Sequence, residues 1–301
     1  MAIFLTGGSG YLGQATIRTL RAQGRDVVAL ARSDRAADTV TALGAEAVRG
    51  DLTDVEVLRA AAAEADGAIH LAMQLDATVA AVDLAAATAI LDGLGGRPYV
   101  HTGGVWVYGD TAGVVDEDAP QHPPAITAWR AANERAVLAR ATSGAHPVLV
   151  MPGLVYGGRT GLVEALVATP ARAAGVVRYI GDGSNHWALV HVEDIADLYV
   201  RALDAPPGAR YAGVGSVQPT YREIAAAVAT ALGRPGAVAS MTLDEARAAL
   251  GPVADALALD QRMTGERARR ELGWQPPERD PLAELATGVS TERKITTRSR
   301  D

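Results

Sequence analysis

Apolar and polar residues fall in regular blocks along this chain. Ala2-Ile-Phe-Leu-Thr6 is a short apolar run, as a strand covered on both faces requires. Tyr11 to Gln23 then carries Leu12, Ile17 and Leu20 at helical spacing. Further strands are predicted at Asp26 to Ala31, Ala45 to Val48, Gly67 to Ala72, Arg97 to Thr102 and Pro147 to Met151. Helical stretches, including Asp76 to Leu94 and Ala125 to Ala141, alternate with them, and Thr53 with Glu56 predicts a capping box after the third strand. Such alternation predicts an α/β fold: a doubly wound parallel sheet of at least six strands, with right-handed crossovers.

After Pro152 the rhythm changes. Gly161 to Ala174, Glu193 to Leu203, Tyr221 to Leu232, Thr242 to Leu250 and Thr264 to Leu272 read as helices, with short strands at Val176 to Ile180, at Ala188 to His191 and before Tyr211. The expected division is a sheet domain over residues 1–157 and a small, mostly helical lobe over 158–288, some segments of which return to the sheet. Residues 289–301, polar with scattered arginines, are expected to lack fixed structure.

The turn between the first strand and the first helix is Thr6-Gly-Gly-Ser-Gly-Tyr-Leu-Gly13. Gly7 permits a tight exit from the strand. Gly10 has no Cβ, so a diphosphate can approach the backbone, and Gly13 lets the helix pack close to the sheet. The free N–H groups and positive dipole end of that helix then face the phosphates. Gly7, Ser9, Gly10, Tyr11, Leu12 and Gly13 are therefore candidate cofactor residues. A glycine pattern alone also suits a plain turn; its place between strand and helix gives it meaning.

Composition narrows the chemistry. The 301-residue chain has no cysteine, which excludes disulfides, thiolate catalysis and cysteine-ligated metal. A formal net charge of −7 argues against an extended nucleic-acid surface. No apolar run reaches membrane-spanning length, and a cytoplasmic protein is expected. Of 28 basic residues only Lys294 is lysine, so every site but the tail lacks it.

At the end of the second strand, where an acidic residue would hold the ribose 2′-hydroxyl of NAD, stands Ala31, followed by Arg32. Arginine suits a 2′-phosphate, so NADP(H) is the expected cofactor, with NAD(H) as the alternative.

Six segments then occur in one order: Thr6 to Gly13, Gly50-Asp51-Leu52, His70-Leu71-Ala72, Val107-Tyr108-Gly109, Pro152-Gly-Leu-Val-Tyr156-Gly157 and Val190-His-Val-Glu-Asp194. Together they resemble the extended short-chain dehydrogenase/reductase superfamily, of NAD-dependent epimerase/dehydratase type, over residues 2 to 273. The resemblance implies a Rossmann domain with a C-terminal substrate lobe and a small-molecule substrate, and it allows a homodimer. It implies that Asp51 and Leu52 border the adenine. Leu71, Ala72 and Met73 would run past the cofactor, and Pro152, Gly153, Leu154 and Val155 past the nicotinamide. The superfamily's proton chemistry uses a Tyr-x-x-x-Lys pair and a Ser or Thr after the fifth strand. Counting back from Glu134 places Arg130 at the lysine position and Ile126 at the tyrosine position, and Gly104 falls at the Ser/Thr position. Arg130 can still hydrogen-bond a ribose, but its guanidinium stays charged and does not cycle protons.

Other candidates for the chemistry are Tyr156, Tyr108 and Thr102, at the carboxyl ends of the fifth and sixth strands, where such folds bind ligands. His101 and His191 lie in apolar runs and read as core histidines. His186 and His191 lack a carboxylate at metal-ligand spacing, so no metal site is expected. Three readings follow: an NADPH-dependent reductase of a small carbonyl or imine with a proton donor foreign to the superfamily, a redox-neutral cyclase, isomerase or lyase, and a non-catalytic NADP(H) sensor.

Overall fold

The computed structural model describes residues 1–158 and 160–288. Its main sheet has seven strands: β1 (Ala2–Thr6), β2 (Asp26–Ala31), β3 (Glu46–Arg49), β4 (Gly67–His70), β5 (Pro98–Thr102), then His146–Pro152 and Arg210–Gly213. From one edge the order is Arg210–Gly213, His146–Pro152, β5, β4, β1, β2, β3, and every pairing is parallel. The chain winds outward from β1 to β3, then returns to β4 and winds the other way. The carboxyl ends of β1 and β4 thus meet at the switch point, where a doubly wound sheet opens a crevice.

Side chains alternate across the sheet. Ile3 and Leu5 of β1 pack on one face with Ile17 and Leu20 of α1 (Tyr11–Ala22), Val40 of α2 (Asp34–Ala42) and Tyr199 of the helix Val192–Arg201. Phe4 packs on the other with Leu58 of α3 (Val55–Ala63) and Ile90 and Leu94 of α4 (Val79–Leu94). A strand covered on both faces reads as a continuous apolar run, which is why β1 was legible from its residues alone.

A second core forms around Tyr156, Trp187, Leu189, Tyr221 and Ile224. This part holds more strand than its sequence predicts. Leu154–Tyr156 pairs with Leu189–His191, and Val177–Ile180 pairs with Val238–Met241. Val114–Val115, in the acidic, proline-containing stretch Asp110 to Pro124, pairs with Arg262–Met263. The span 161–174 contains a π-helical turn, Glu164–Ala168, followed by a short helix, Thr169–Ala174. The expected helix at Ala125 begins as a 3-10 turn, Ala125–Thr127, and continues as α5 (Ala128–Ala139).

The capping box at Thr53 does not form. Asp54 is the N-cap of α3, and Glu56 pairs instead with Arg59. Asp51 takes up Thr53, accepting from both its N–H and its hydroxyl. The expectation for residues 289–301 lies outside the described residues. Among the described residues no helix is long and apolar enough to cross a membrane.

Candidate active site at the sheet switch point

The glycine turn is built as its spacing requires. Gly7 has φ +73°, and a Cβ there would lie 2.8 Å from the Ala72 nitrogen. A Cβ on Gly13 would lie 2.0 Å from the Gly7 carbonyl oxygen. The turn therefore presses against the segment after β4, and α1 presses against the turn. Gly10 is the N-cap of α1; no side chain caps the helix, and its first turn holds no acidic residue. That leaves N–H donors and the positive dipole end facing the crevice without a competing anion, which fits a diphosphate. Gln14 donates to the Ser9 carbonyl and steadies the turn, and the Tyr11 hydroxyl donates to Gly157 O, tying α1 to the strand end beyond Pro152.

Around this centre the candidate residues take different places. Arg32 is exposed at the end of β2 and forms no ion pair among the described residues. Asp51 is half-buried and Leu52 is buried beside β2. Leu71 donates its N–H to Thr6 O, and Ala72 donates to Thr6 Oγ1 at 3.2 Å, so these two residues line the crevice wall. Arg130, in the first turn of α5, donates to the Thr102 carbonyl at 3.0 Å and lies against the Met73 sulfur at 2.9 Å. A cation thus sits between the ends of β4 and β5. Gly153 and Leu154 are buried, with Gly153 N–H bonded to Gly213 O. Pro152 and Val155 are half-buried.

The hydroxyl candidates fare less well. Tyr108 is 1% exposed, and its hydroxyl donates to the Glu117 carbonyl at 2.9 Å. It fastens the loop after β5, and that carbonyl already engages the hydroxyl's proton. Burial pushes its pKa up, and burial does the same to Tyr156, where Glu284 and Asp194 add to it. Tyr156 is 5% exposed and meets His191 edge-on at 5.3 Å. It lines a cavity of about 330 Å³ together with Asp194 and Arg279, on the lobe side of its strand. Thr102 is half-buried and donates to His70 O at 2.6 Å. A Cβ on Gly104 would meet nothing within 4 Å, and Ile126 is 36% exposed. The space beside Gly104 is therefore open.

Behind Arg130 lies a buried polar layer that sequence reasoning missed. Glu134, one turn further along α5, is 2% exposed, and neither carboxylate oxygen has a hydrogen-bond partner among the described residues. A Cβ on Gly103 would lie 2.7 Å from Glu134 Oε1, so the glycine makes room for the carboxyl. Burial raises its pKa to about 7; Arg130 opposes the shift and Asp83 adds to it. A carboxyl whose pKa rises on folding, from 4.5 to about 7, leaves stability intact below pH 4.5 and loses it as pH climbs to 7. Glu134→Gln removes that penalty. We expect it to flatten the pH profile of chemical denaturation between pH 5 and 8, with a gain of about 3 kcal/mol at the alkaline end. An unchanged slope would assign the charge cost elsewhere.

Deeper still, His70, Asp83 and His101 converge, all buried. Thr6 Oγ1 holds His70 Nδ1 at 2.7 Å, and the Tyr99 hydroxyl holds His101 Nδ1 at 2.8 Å. Asn133 donates to Asp83 Oδ2 at 2.8 Å. Burial alone would raise the Asp83 pKa. The adjacent His70 and His101 rings and the Asn133 amide outweigh it and leave the carboxyl at about 2. Burial lowers His101 to about 3, so its imidazole is neutral. His101 is a core histidine, as its apolar run suggests, and with His70 it meets a carboxylate from α4, the helix between their two strands.

With this geometry in view, the relatives become informative. An uncharacterized protein of Saccharomyces cerevisiae is 32% identical over 300 residues, covering 96% of this chain and 99% of its own. A 2-alkyl-3-oxoalkanoate reductase of Stenotrophomonas maltophilia is 29% identical, covering 78% of this chain and 77% of its own. The crystal structure of a dTDP-glucose 4,6-dehydratase from Streptomyces venezuelae, with NAD bound, superimposes with a TM-score of 0.79 at 21% identity, covering 96% of each chain. The model of the NAD dependent epimerase/dehydratase family matches residues 3–212, and with a parallel sheet, glycine turn and switch-point crevice of that kind, the chain belongs to this family.

Proposed function

We propose that the protein is an NADP(H)-dependent reductase of a small carbonyl or imine compound. The observation that carries the reading is that both ends of a dinucleotide site are furnished. The uncapped N-terminus of α1 faces the diphosphate, and Arg130, held on the Thr102 carbonyl, faces the nicotinamide ribose. Gly7, Ser9, Gly10, Tyr11, Leu12 and Gly13 form the diphosphate cradle. Asp51 and Leu52 border the adenine, Leu71 to Met73 run past the cofactor, and Pro152 to Val155 form the nicotinamide wall. The S. maltophilia relative, named a reductase, points to the same class of chemistry.

Bound nicotinamide supplies a hydride to the substrate carbon. The chain's own contribution is to orient, exclude water and see to the proton. With Tyr108 bonded to Glu117 O and Thr102 bonded to His70 O, neither hydroxyl is free to donate. The open volume beside Gly104 leaves room for water at the place of the superfamily's hydroxyl, and water is the proton source in this reading. Tyr156 is the remaining side-chain donor, and Tyr156→Phe tests it: a true acid loses 10²–10⁴-fold in turnover. Deuterium transfer settles the reaction type. With NADPH carrying deuterium at the transferable nicotinamide position, a reductase delivers the label to a product carbon. Product formed with the label retained on the cofactor would favour the redox-neutral reading instead.

Arg32 directs the choice of cofactor. A charge-assisted contact to the 2′-phosphate contributes about 1.5–3 kcal/mol. Fluorescence titration is therefore expected to give tighter binding of NADPH than NADH, and Arg32→Ala is expected to weaken NADPH by roughly 10- to 150-fold while leaving NADH unchanged. Equal affinities in the native protein would remove the preference.

A further inference from the structure

The cluster beneath the crevice has a geometry that hydrogen bonding does not explain. His70 Nε2 lies 3.5 Å from Asp83 Oδ1, and His101 Nε2 lies 3.7 Å from Asp83 Oδ2. Both distances exceed an N–H···O bond. His70 is 1% exposed and its Nε2 has no hydrogen-bond partner among the described residues, although it aims at a carboxylate. A buried nitrogen left in that state costs free energy. The separations instead resemble the edges of a coordination tetrahedron, which measure about 3.3–3.6 Å for metal bonds of 2.0–2.2 Å. The rings of His70 and His101 lie within 20° of parallel with centroids 5.6 Å apart, near the roughly 5 Å of two imidazoles sharing one tetrahedral ion. All the potential ligand atoms lie within 4.8 Å of one another.

The surroundings match a metal site as well. Ligating histidines usually donate their second ring N–H to an outer partner that fixes tautomer and orientation. Here Thr6 and Tyr99 hydroxyls occupy His70 Nδ1 and His101 Nδ1, which leaves both Nε2 atoms for an ion. Asn133 fixes the carboxylate in the same way. The three ligands come from adjacent strands and the helix over them: His70 and His101 are register partners on β4 and β5, and Asp83 lies in the second turn of α4. Two imidazoles and one carboxylate suit zinc and its first-row neighbours rather than calcium or magnesium.

We propose that His70 Nε2, His101 Nε2 and the Asp83 carboxylate form a buried site for one divalent ion of the zinc class, pinning α4 to the carboxyl ends of β4 and β5 under the cofactor crevice. Water fills its fourth position. Because the site is closed, the ion enters as the chain folds. Thr6 links it to the glycine turn, since the same hydroxyl that holds His70 accepts the Ala72 N–H.

The test uses full-length protein produced in cells supplied with zinc or with cobalt, purified without chelator. Elemental analysis is expected to find about one ion per chain. The cobalt form is expected to show the d–d absorption of a tetrahedral site. Tyr99→Phe, which removes only the outer hydroxyl, is expected to weaken retention against a competing chelator by 10–100-fold. His70→Gln and Asp83→Asn are expected to lose the ion, with circular dichroism confirming that the variants are folded; should either fail to fold, Tyr99→Phe carries the test. Protein that arrives without stoichiometric metal would overturn the proposal. Metal retained unchanged in these variants would overturn it too, and would place the ion elsewhere, for instance at the surface pair His186 and Asp260.

Discussion

Gly13→Ala is expected to cripple both the fold and the crevice. At most positions inside a helix, alanine in place of glycine stabilises by up to about 1 kcal/mol. At Gly13 the added Cβ would stand 2.0 Å from the Gly7 carbonyl oxygen and 2.7 Å from Gly8 Cα. Neither atom belongs to a flexible side chain, so relief requires α1 to move off the sheet. Overpacking of this kind costs about 3 kcal/mol or more, which urea unfolding reads as a lower midpoint. The shift also moves the N–H donors of Tyr11, Leu12 and Gly13 away from the diphosphate. Dinucleotide affinity is expected to fall by more than about 10²-fold, the scale of losing two charge-assisted bonds. Gly24→Ala is the control. Gly24 has positive φ, at +71°, but its Cβ would meet nothing within 4 Å. It is expected to cost only about 1–2 kcal/mol and to leave cofactor affinity alone. Equal effects of the two substitutions on affinity would show that the glycine turn is only a turn.

Trp274→Ala is expected to carry the largest cost to stability alone. Trp274 is fully buried and packs in the core that Tyr199 and Ile195 share with the sheet. Its indole N–H donates to the Asp194 carbonyl at 2.9 Å. Gly265 sits so close that a Cβ there would lie 3.0 Å from the indole ring. Truncation removes the ring contacts and leaves the carbonyl unpaired, for a total of about 3–5 kcal/mol. Asp194 is also held by Arg279 at 3.1 Å, across the cavity that Tyr156 lines. Loosening Asp194 should therefore expose the lobe to proteolysis before the sheet. Trp274→Phe keeps most of the ring and loses only the N–H, so it separates packing from hydrogen bonding. A cost below about 1 kcal/mol for the alanine variant would mean that the core collapses around the gap.

What could be read from the residues was local or repetitive. The β1 run, the glycine turn and the first helix lie within 23 consecutive residues, and their meaning depends on nothing distant. Strand and helix alternate often enough to imply the parallel sheet. The misses depend on pairing across the chain. Val238–Met241 is a strand only because Val177–Ile180 lies beside it, and Val114–Val115 only because of Arg262–Met263. The partner of the Tyr108 hydroxyl is likewise not legible locally, since a loop nine residues on brings Glu117 O to it. The Thr53 box lost to Asp54, one residue further on, which accepts from the Asp51 N–H at 2.7 Å. His70 and His101 gave no metal signal because they meet only through strand register, and Asp83 joins them from a helix whose neighbours are nearly all alanine, leucine and valine. A buried aspartate in such an apolar helix was the one sequence-level hint of a partner.

A crystal structure of the protein grown with NADPH tests the central claim most directly. The diphosphate is expected at the N-terminus of α1 over Gly10, the 2′-phosphate at Arg32, and the nicotinamide ribose within hydrogen-bond distance of Arg130, with the ring against Pro152 and Gly153. A dinucleotide bound away from the glycine turn, or a turn left vacant in crystals grown with excess NADPH, would contradict it.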